Sequence, residues 1–167
     1  MCGIAGFWTK SAENSANWLE DTASQMANTL VHRGPDDSGT WVDPEVGVAL
    51  GHRRLSIIDI SIAGHQPMVS ADGRYVISYN GEVYNFQELR RKVEKLGHSF
   101  KGYSDTEVML AAFVQWGVGA SVKFFNGMFA FVVWDRQDRL LWLVRDRIGE
   151  KPLYYGVQNG IFFLHLN

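Results

Sequence analysis

The sequence is poor in cysteine, in proline and in charge of either sign, and each scarcity closes off a class of function. A single cysteine, Cys2, leaves no partner for an internal disulfide, so the reducing cytoplasm is the expected compartment. His32, His52, His65, His98 and His165 stand singly. With no second cysteine and no paired-ligand spacing, no metal site is expected. Lys and Arg number 16 against 18 Asp and Glu, a formal net charge of −2; with no basic run, neither nucleic acid nor an acidic membrane surface is an expected partner. No basic-then-apolar leader opens the chain, and no apolar stretch approaches the roughly 18 residues of a spanning helix. No Gly-rich loop joins a strand to a helix, so no nucleotide cofactor is expected in this chain. Four prolines, no repeat and no linker leave one domain over 1–167.

The chain does have apolar residues (46%) and aromatics (13%) in amounts that let 167 residues bury a continuous core. Gly3 to Trp8 reads as a short strand. Leu19, Ala23, Met26 and Leu30 recur at helical spacing and predict an amphipathic helix over about Trp18 to Val31, ending before Gly34-Pro35. Trp41-Val42 and Val46 to Leu50 read as strands around Asp43-Pro44, and Ser61 to Pro67 as a loop. Tyr75 to Tyr79 is a strand, and the Asn80-Gly81 that follows is the strongest short signal for a hairpin turn. Asn85-Phe86-Gln87-Glu88 and Ser104-Asp105-Thr106-Glu107 both read as capping boxes opening helices. The apolar, aromatic strands Met128 to Asp135 and Arg139 to Arg145, around Arg136-Gln137-Asp138, predict a hairpin covered on both faces, inside a layered α and β fold. Short strands at Leu153-Tyr154-Tyr155 and Ile161 to Leu164 close the chain.

Chemistry enters at Met1-Cys2-Gly3. Removal of Met1 would put a thiol and a free α-amine on one carbon, a nucleophile with its own proton acceptor; the alternative is a small buried hydrophobe near a frayed end. Arg53 and Arg54 lie in strand-like surroundings, so they point to opposite faces and one can reach an interior anion while the other is solvated; a solvated surface pair is the alternative. Asn80 and Gly81 supply an amide side chain and a backbone N–H, the donor pair an oxyanion needs, with the Glu82 carboxylate beside them. Asp105 can complement a helix start or grip an ammonium. Arg33 and Asp36, in the turn His32 to Asp37, are either rim residues or solvated turn residues.

Seven ordered blocks carry a resemblance that spans essentially the whole chain. They are Met1-Cys2-Gly3-Ile4-Ala5-Gly6, His32-Arg33-Gly34-Pro35-Asp36, Arg54-Leu55-Ser56-Ile57, Asn80 to Asn85, Ser104 to Glu107, Gly127 to Phe131, and Arg145 to Arg147 with Lys151 to Tyr155. Together they resemble the glutaminase domain of glutamine-dependent asparagine synthetases. The resemblance implies an α+β fold, the N-terminal nucleophile hydrolase four-layer αββα sandwich with two stacked antiparallel sheets. It implies hydrolysis of L-glutamine to glutamate and ammonia with Cys2 as nucleophile, Asn80 and Gly81 as oxyanion hole, Arg54 on the substrate carboxylate, and Glu82 and Asp105 on its ammonium. Ile57 and Ile58 would add backbone contacts. ATP and Mg are expected only on a synthetase domain or subunit, the implied partner that receives the ammonia; a homodimer is allowed. The chain ends at Phe163-Leu164-His165-Leu166-Asn167, without the small residue and Ser-Glu that continue the family pattern, and a natural single domain, a truncated gene and an excised piece all fit that ending. A glutamine-binding module that never turns over, or a hydrolase of another γ-glutamyl compound, stay open as alternatives.

Overall fold

The computed structural model describes residues 2–9, 14–56 and 61–166. In chain order the elements are β1 (Gly3–Thr9), α1 (Ala16–Asn28), β2 (Asp37–Asp43), β3 (Val48–Arg54), β4 (Met68–Val69), β5 (Tyr75–Val83), α2 (Phe86–Glu94), α3 (Asp105–Trp116), α4 (Val118–Ser121), β6 (Gly127–Asp135), β7 (Leu140–Arg145), β8 (Tyr154–Gln158) and β9 (Ile161–Leu166). Strands of the first sheet run in the order β2-β3-β1-β9-β8 and those of the second β4-β5-β6-β7. Every strand pairing is antiparallel.

Alternation along β6 explains the layering. Ala130, Val132 and Trp134 point one way, into a core shared with Ile4, Val48, Leu50 and Leu164 of the first sheet. Phe129, Phe131 and Val133 point the other way, against Leu89 of α2 and Val108, Met109 and Phe113 of α3. A strand apolar on both faces is thereby buried on both. On the outer face of the first sheet, Leu19 and Ala23 of α1 pack on Phe7 and Ala49. The layers are therefore α1, sheet, sheet, and α2 with α3, the αββα sandwich expected from the resemblance. The β6–β7 hairpin is as expected, although β7, at the edge of its sheet, is only half-buried.

Two local expectations are corrected. Asn80-Gly81 is no turn: β5 runs through it, with Asn80 opposite Ala130 and Gly81 opposite Phe129. Glycine is required there for a different reason, since Gly81 has φ +153° and a Cβ would meet Met128 O at 2.2 Å. Asn85 stands before α2 but its side chain caps nothing. Its Nδ2 donates to Phe124 O and its Oδ1 accepts from Asn126 N, both at 2.9 Å, so it ties the helix start to the approach of β6. At α3 half of the box forms: Ser104 Oγ accepts from Glu107 N at 3.3 Å, while Glu107 turns back to the amides of Lys101 and Gly102.

Two carboxylates hold the turns at the sheet ends. Arg74 grips Asp135 with two bonds of 2.9 and 2.7 Å, and Asp146 accepts from the amides of Phe129, Ile148, Glu150 and Lys151. Burial pushes both carboxyls up, but the Arg74 guanidinium at Asp135 and the loop amides at Asp146 more than offset it, leaving both below the usual carboxylate range. A depressed carboxyl contributes stability that is fully present above its unfolded value, about 3.9 for Asp, and is lost as the pH falls through the folded one. Melting temperature is therefore expected to drop steeply below about pH 4, and Asp146→Asn to flatten that acid limb; equal slopes in wild type and variant would contradict the assignment.

Candidate active site

Cys2 lies just before β1, a central strand of the first sheet, where Gly3 faces Arg53 of β3. A Cβ at residue 3 would stand 2.7 Å from Leu30 Cβ, so glycine lets the chain after α1 close against the strand. The Leu55 amide donates to Cys2 Sγ at 3.4 Å, and the thiol faces Leu55 O at 3.8 Å. Cys2 N donates to Asn80 Oδ1 at 3.1 Å, joining the start of β1 to the middle of β5 across the sandwich. Burial pushes the Cys2 thiol above its ordinary value, and the Leu55 amide opposes this only in part. A thiol so placed is protonated at rest and needs a base before it attacks.

Cys2, Arg54, Asn80, Gly81, Glu82 and Asp105 all line one cavity of about 110 Å³. The structure thus brings together every expected site residue that it describes; Ile57 and Ile58 lie outside the described residues. Larger hollows, of about 490 Å³ beside Trp41 and Arg136 and about 470 Å³ beside His98 and Phe100, contain no cysteine. Chemistry rather than size marks the site.

Asn80 is almost fully buried, and its Nδ2 has no hydrogen-bond partner among the described residues. Because a buried, unmade amide bond costs about 1–3 kcal/mol, a donor left open at a cavity wall points to an acceptor that arrives with a ligand. Arg54 is buried at the same cavity, with Nη1 donating to Ser61 O at 3.1 Å. Arg53 points the other way, its Nε donating to Gly34 O at 3.0 Å. Strand alternation separates the two as expected. Neither Arg33 nor Asp36 lines the cavity; Asp36 Oδ2 accepts from Ser56 N at 2.8 Å and Asp36 N donates to Arg54 O, which secures the chain beside Arg54 and Leu55.

Asp105 sits at the first turn of α3, where the helix dipole favours an anion. Its Oδ2 accepts from Tyr79 Oη at 2.6 Å and from Val83 N at 3.0 Å. Burial nonetheless holds its carboxyl above the usual range, against the hydrogen bonds from Tyr79 and the Val83 amide. By linkage, that sign means an ionised Asp105 costs stability at neutral pH.

Tyr79, Gln66, Ser104, Thr106 and Met128 also line the cavity and were not anticipated. Gln66 Oε1 accepts from Tyr79 N at 2.7 Å and its Nε2 donates to Thr106 Oγ1 at 3.4 Å; it takes over the β5 ladder where the short β4 gives out. Period-two alternation could have found Tyr79, which faces the helices along with Gly81 and Val83. No local signal marks Gln66. Behind the site, His52 Nδ1 pairs with Ser78 Oγ at 2.9 Å in full burial. Burial, helped by Arg54, lowers its value to about 3, so this imidazole is neutral at physiological pH.

A thiol, an open amide donor, one guanidinium and two carboxylates form a set that can hold a small zwitterion by its charged ends and attack a carbonyl between them. A family model described as a glutamine amidotransferase domain matches residues 1–165. Asparagine synthetase [glutamine-hydrolyzing] 3 of Bacillus subtilis (strain 168) is 42% identical over 164 residues, 97% of this chain and 26% of that protein. Amidase chry2 of Gibberella zeae is 37% identical over 167 residues, 96% of this chain and 25% of that protein. The chain thus spans about a quarter of the length of these relatives. Among solved structures, glutamine phosphoribosylpyrophosphate amidotransferase from B. subtilis, complexed with ADP and GMP, superposes with TM-score 0.79 at 20% identity, over 98% of this chain and 41% of that one.

Proposed function

The chain belongs to the glutamine amidotransferase domain family, and from that premise we propose that it hydrolyses L-glutamine to glutamate and ammonia through a thioester on Cys2. The observation that carries this reading is Asn80: its Oδ1 holds Cys2 N while its buried Nδ2 stands open at the cavity that Cys2 lines. With Met1 removed, Cys2 N becomes an α-amine. It takes the thiol proton, directly or through one water, and the sulfur adds to the side-chain amide carbon. The carbonyl electron pair moves onto oxygen, held by Asn80 Nδ2 and Gly81 N–H. Collapse of that intermediate expels the amide nitrogen, which leaves as ammonia with the proton the α-amine returns. Water then adds to the thioester, and glutamate departs as the thiol re-forms.

Arg54 at one end and Glu82 with Asp105 at the other would fix the α-carboxylate and α-ammonium. A peptide bond to the α-carboxyl or the α-amine would neutralise one of these charges, so a free amino acid rather than a peptide is the expected substrate. These steps call for no cofactor in this chain. Ammonia so released would feed an asparagine-synthetase-type, ATP-dependent domain or subunit in the cytoplasm.

The test is an ammonia assay on protein whose N-terminal mass is known. Protein that begins at Cys2 releases ammonia from glutamine, and protein that retains Met1 does not. Silence from the Cys2-initiated form would instead favour a binding module. In active protein, Arg54→Met is expected to raise KM for glutamine roughly 10- to 100-fold, as loss of a charged hydrogen bond of about 1.5–3 kcal/mol requires, with a smaller change in kcat. An unchanged KM would remove Arg54 from the carboxylate site.

A further inference from the structure

We propose that Tyr79 is a positioning residue for substrate recognition: its hydroxyl occupies Asp105 Oδ2 and so keeps this carboxylate anionic, with Oδ1 turned to the substrate's α-ammonium. The proposal rests on the glutaminase reading above and adds to it a residue that touches Asp105 rather than the reacting atoms.

Geometry supports it from three sides. The Tyr79 Oη to Asp105 Oδ2 distance, 2.6 Å, is that of a charge-assisted bond, and both residues are buried. Val83 N takes the same oxygen at 3.0 Å, so two protein donors already meet Oδ2, and Oδ1 is the oxygen the proposal gives to the ligand. Tyr79 is itself fixed: its amide is held by Gln66 Oε1, and its ring packs on Phe131 at 6.4 Å between centroids. An ionised carboxylate this far from water is sustained by its donors, and of the side chains that face it Tyr79 is the one bonded to it. Burial and the Asp105 charge push the Tyr79 hydroxyl well above its ordinary value, so it remains a donor across the working range. The other ionisable groups at this cavity are Glu82 on β5, Cys2 before β1, Arg54 on β3 and Lys151 after the 146–150 loop. Cys2, Arg54 and Lys151 meet glutamine and a ligand without the amino group alike, and Glu82, which would also meet the ammonium, is the same in the variant and the unmutated chain, so removal of the Tyr79 hydroxyl isolates the Tyr79–Asp105 bond.

That difference defines the experiment. Tyr79→Phe keeps the ring and deletes the donor; it is compared with the unmutated chain, both beginning at Cys2, for glutamine turnover and for inhibition by 4-carbamoylbutanoate, which is glutamine without its α-amino group. The expected result is a rise of about tenfold in KM for glutamine at pH 7, from one lost charged hydrogen bond, with kcat within about threefold and the inhibition constant of the analogue within about twofold. The ratio of glutamine to analogue affinity should also begin to fall at a higher pH in the variant than in the unmutated chain, the direction expected of a carboxylate that has lost a donor. On an Asp105→Asn background Tyr79→Phe should add nothing. Equal loss for both ligands, no loss, or a persistent effect on that background overturns the proposal while leaving the glutaminase reading intact. Failure of the unmutated, Cys2-initiated chain to hydrolyse glutamine overturns that reading and the proposal together. Should Tyr79→Phe fail to fold by thermal melting, Tyr79→Met, which also lacks the hydroxyl, takes its place and the same outcomes decide.

Discussion

Replacing Cys2 by alanine is expected to lower ammonia release from glutamine by at least about 10⁴-fold while leaving fold and glutamine binding in place. Losses of that order follow removal of a nucleophile that acts in concert with its base. The hydroxyls at the cavity are all engaged in hydrogen bonds within the protein. Ser104 Oγ accepts from Glu107 N, Thr106 Oγ1 accepts from Gln66 Nε2, and Tyr79 Oη is spent on Asp105. Water could use the open Asn80 donor, but without a thiol no acyl intermediate divides the reaction into two easier steps. The structural consequence is small, because the sulfur's contacts are the long ones to Leu55 at 3.4 and 3.8 Å and the bond from Cys2 N to Asn80 is made by the main chain. Turnover assays, calorimetric titration with glutamine and a thermal melt together check the result. Activity within tenfold of the unmutated chain would exclude Cys2 as nucleophile.

Much of this was legible from the sequence, for reasons that differ element by element. The two-faced burial of β6 follows from its unbroken apolar run, and the helices α1 and α3 from apolar spacing and, for α3, from Ser104. The opposed directions of Arg53 and Arg54 follow from strand alternation alone. Asn80-Gly81 misled because the residue pair that favours a turn also suits a strand in which one residue must have no Cβ and its neighbour must face inward. Only the tertiary approach of Met128 O to Gly81 separates these cases, and it comes from a strand nearly fifty positions away. Asn85 misled for a related reason: its side chain had a better partner than its own helix, in the backbone of Phe124 and Asn126. The stacking of two sheets with Cys2 and Asn80 meeting across them is likewise non-local, and no periodicity in one strand encodes it; the ordered blocks carried that part. Gln66 was missed because its bonds to Tyr79 N and to Thr106 of α3 are ones no spacing in the chain announces; alternation along β5 marks the face that Tyr79 occupies, but not its bond to Asp105.

Asn80 is where that cross-sheet contact becomes chemistry, and it carries the second large effect. Asn80→Ala is expected to lower kcat about 10²- to 10³-fold, the loss of roughly 2.7–4 kcal/mol seen when one oxyanion donor is removed, with little change in KM because the donor meets its full charge only in the transition state. Alanine, however, removes two things, the Nδ2 donor and the Oδ1 that holds Cys2 N at 3.1 Å. Asn80→Asp parts them. The aspartate keeps an oxygen for Cys2 N in the same volume but sets a carboxylate where the oxyanion would form, so it is expected to be at least as damaging as alanine. Were the role of Asn80 only to orient the terminus, aspartate would preserve activity. Ser78→Ala, two residues earlier on the same face and bonded to His52 rather than to the site, controls for disturbance of β5 and should leave kcat within about threefold. A loss in Ser78→Ala as deep as that in Asn80→Asp would assign the effect to the strand; a loss confined to position 80 assigns it to the donor at Nδ2.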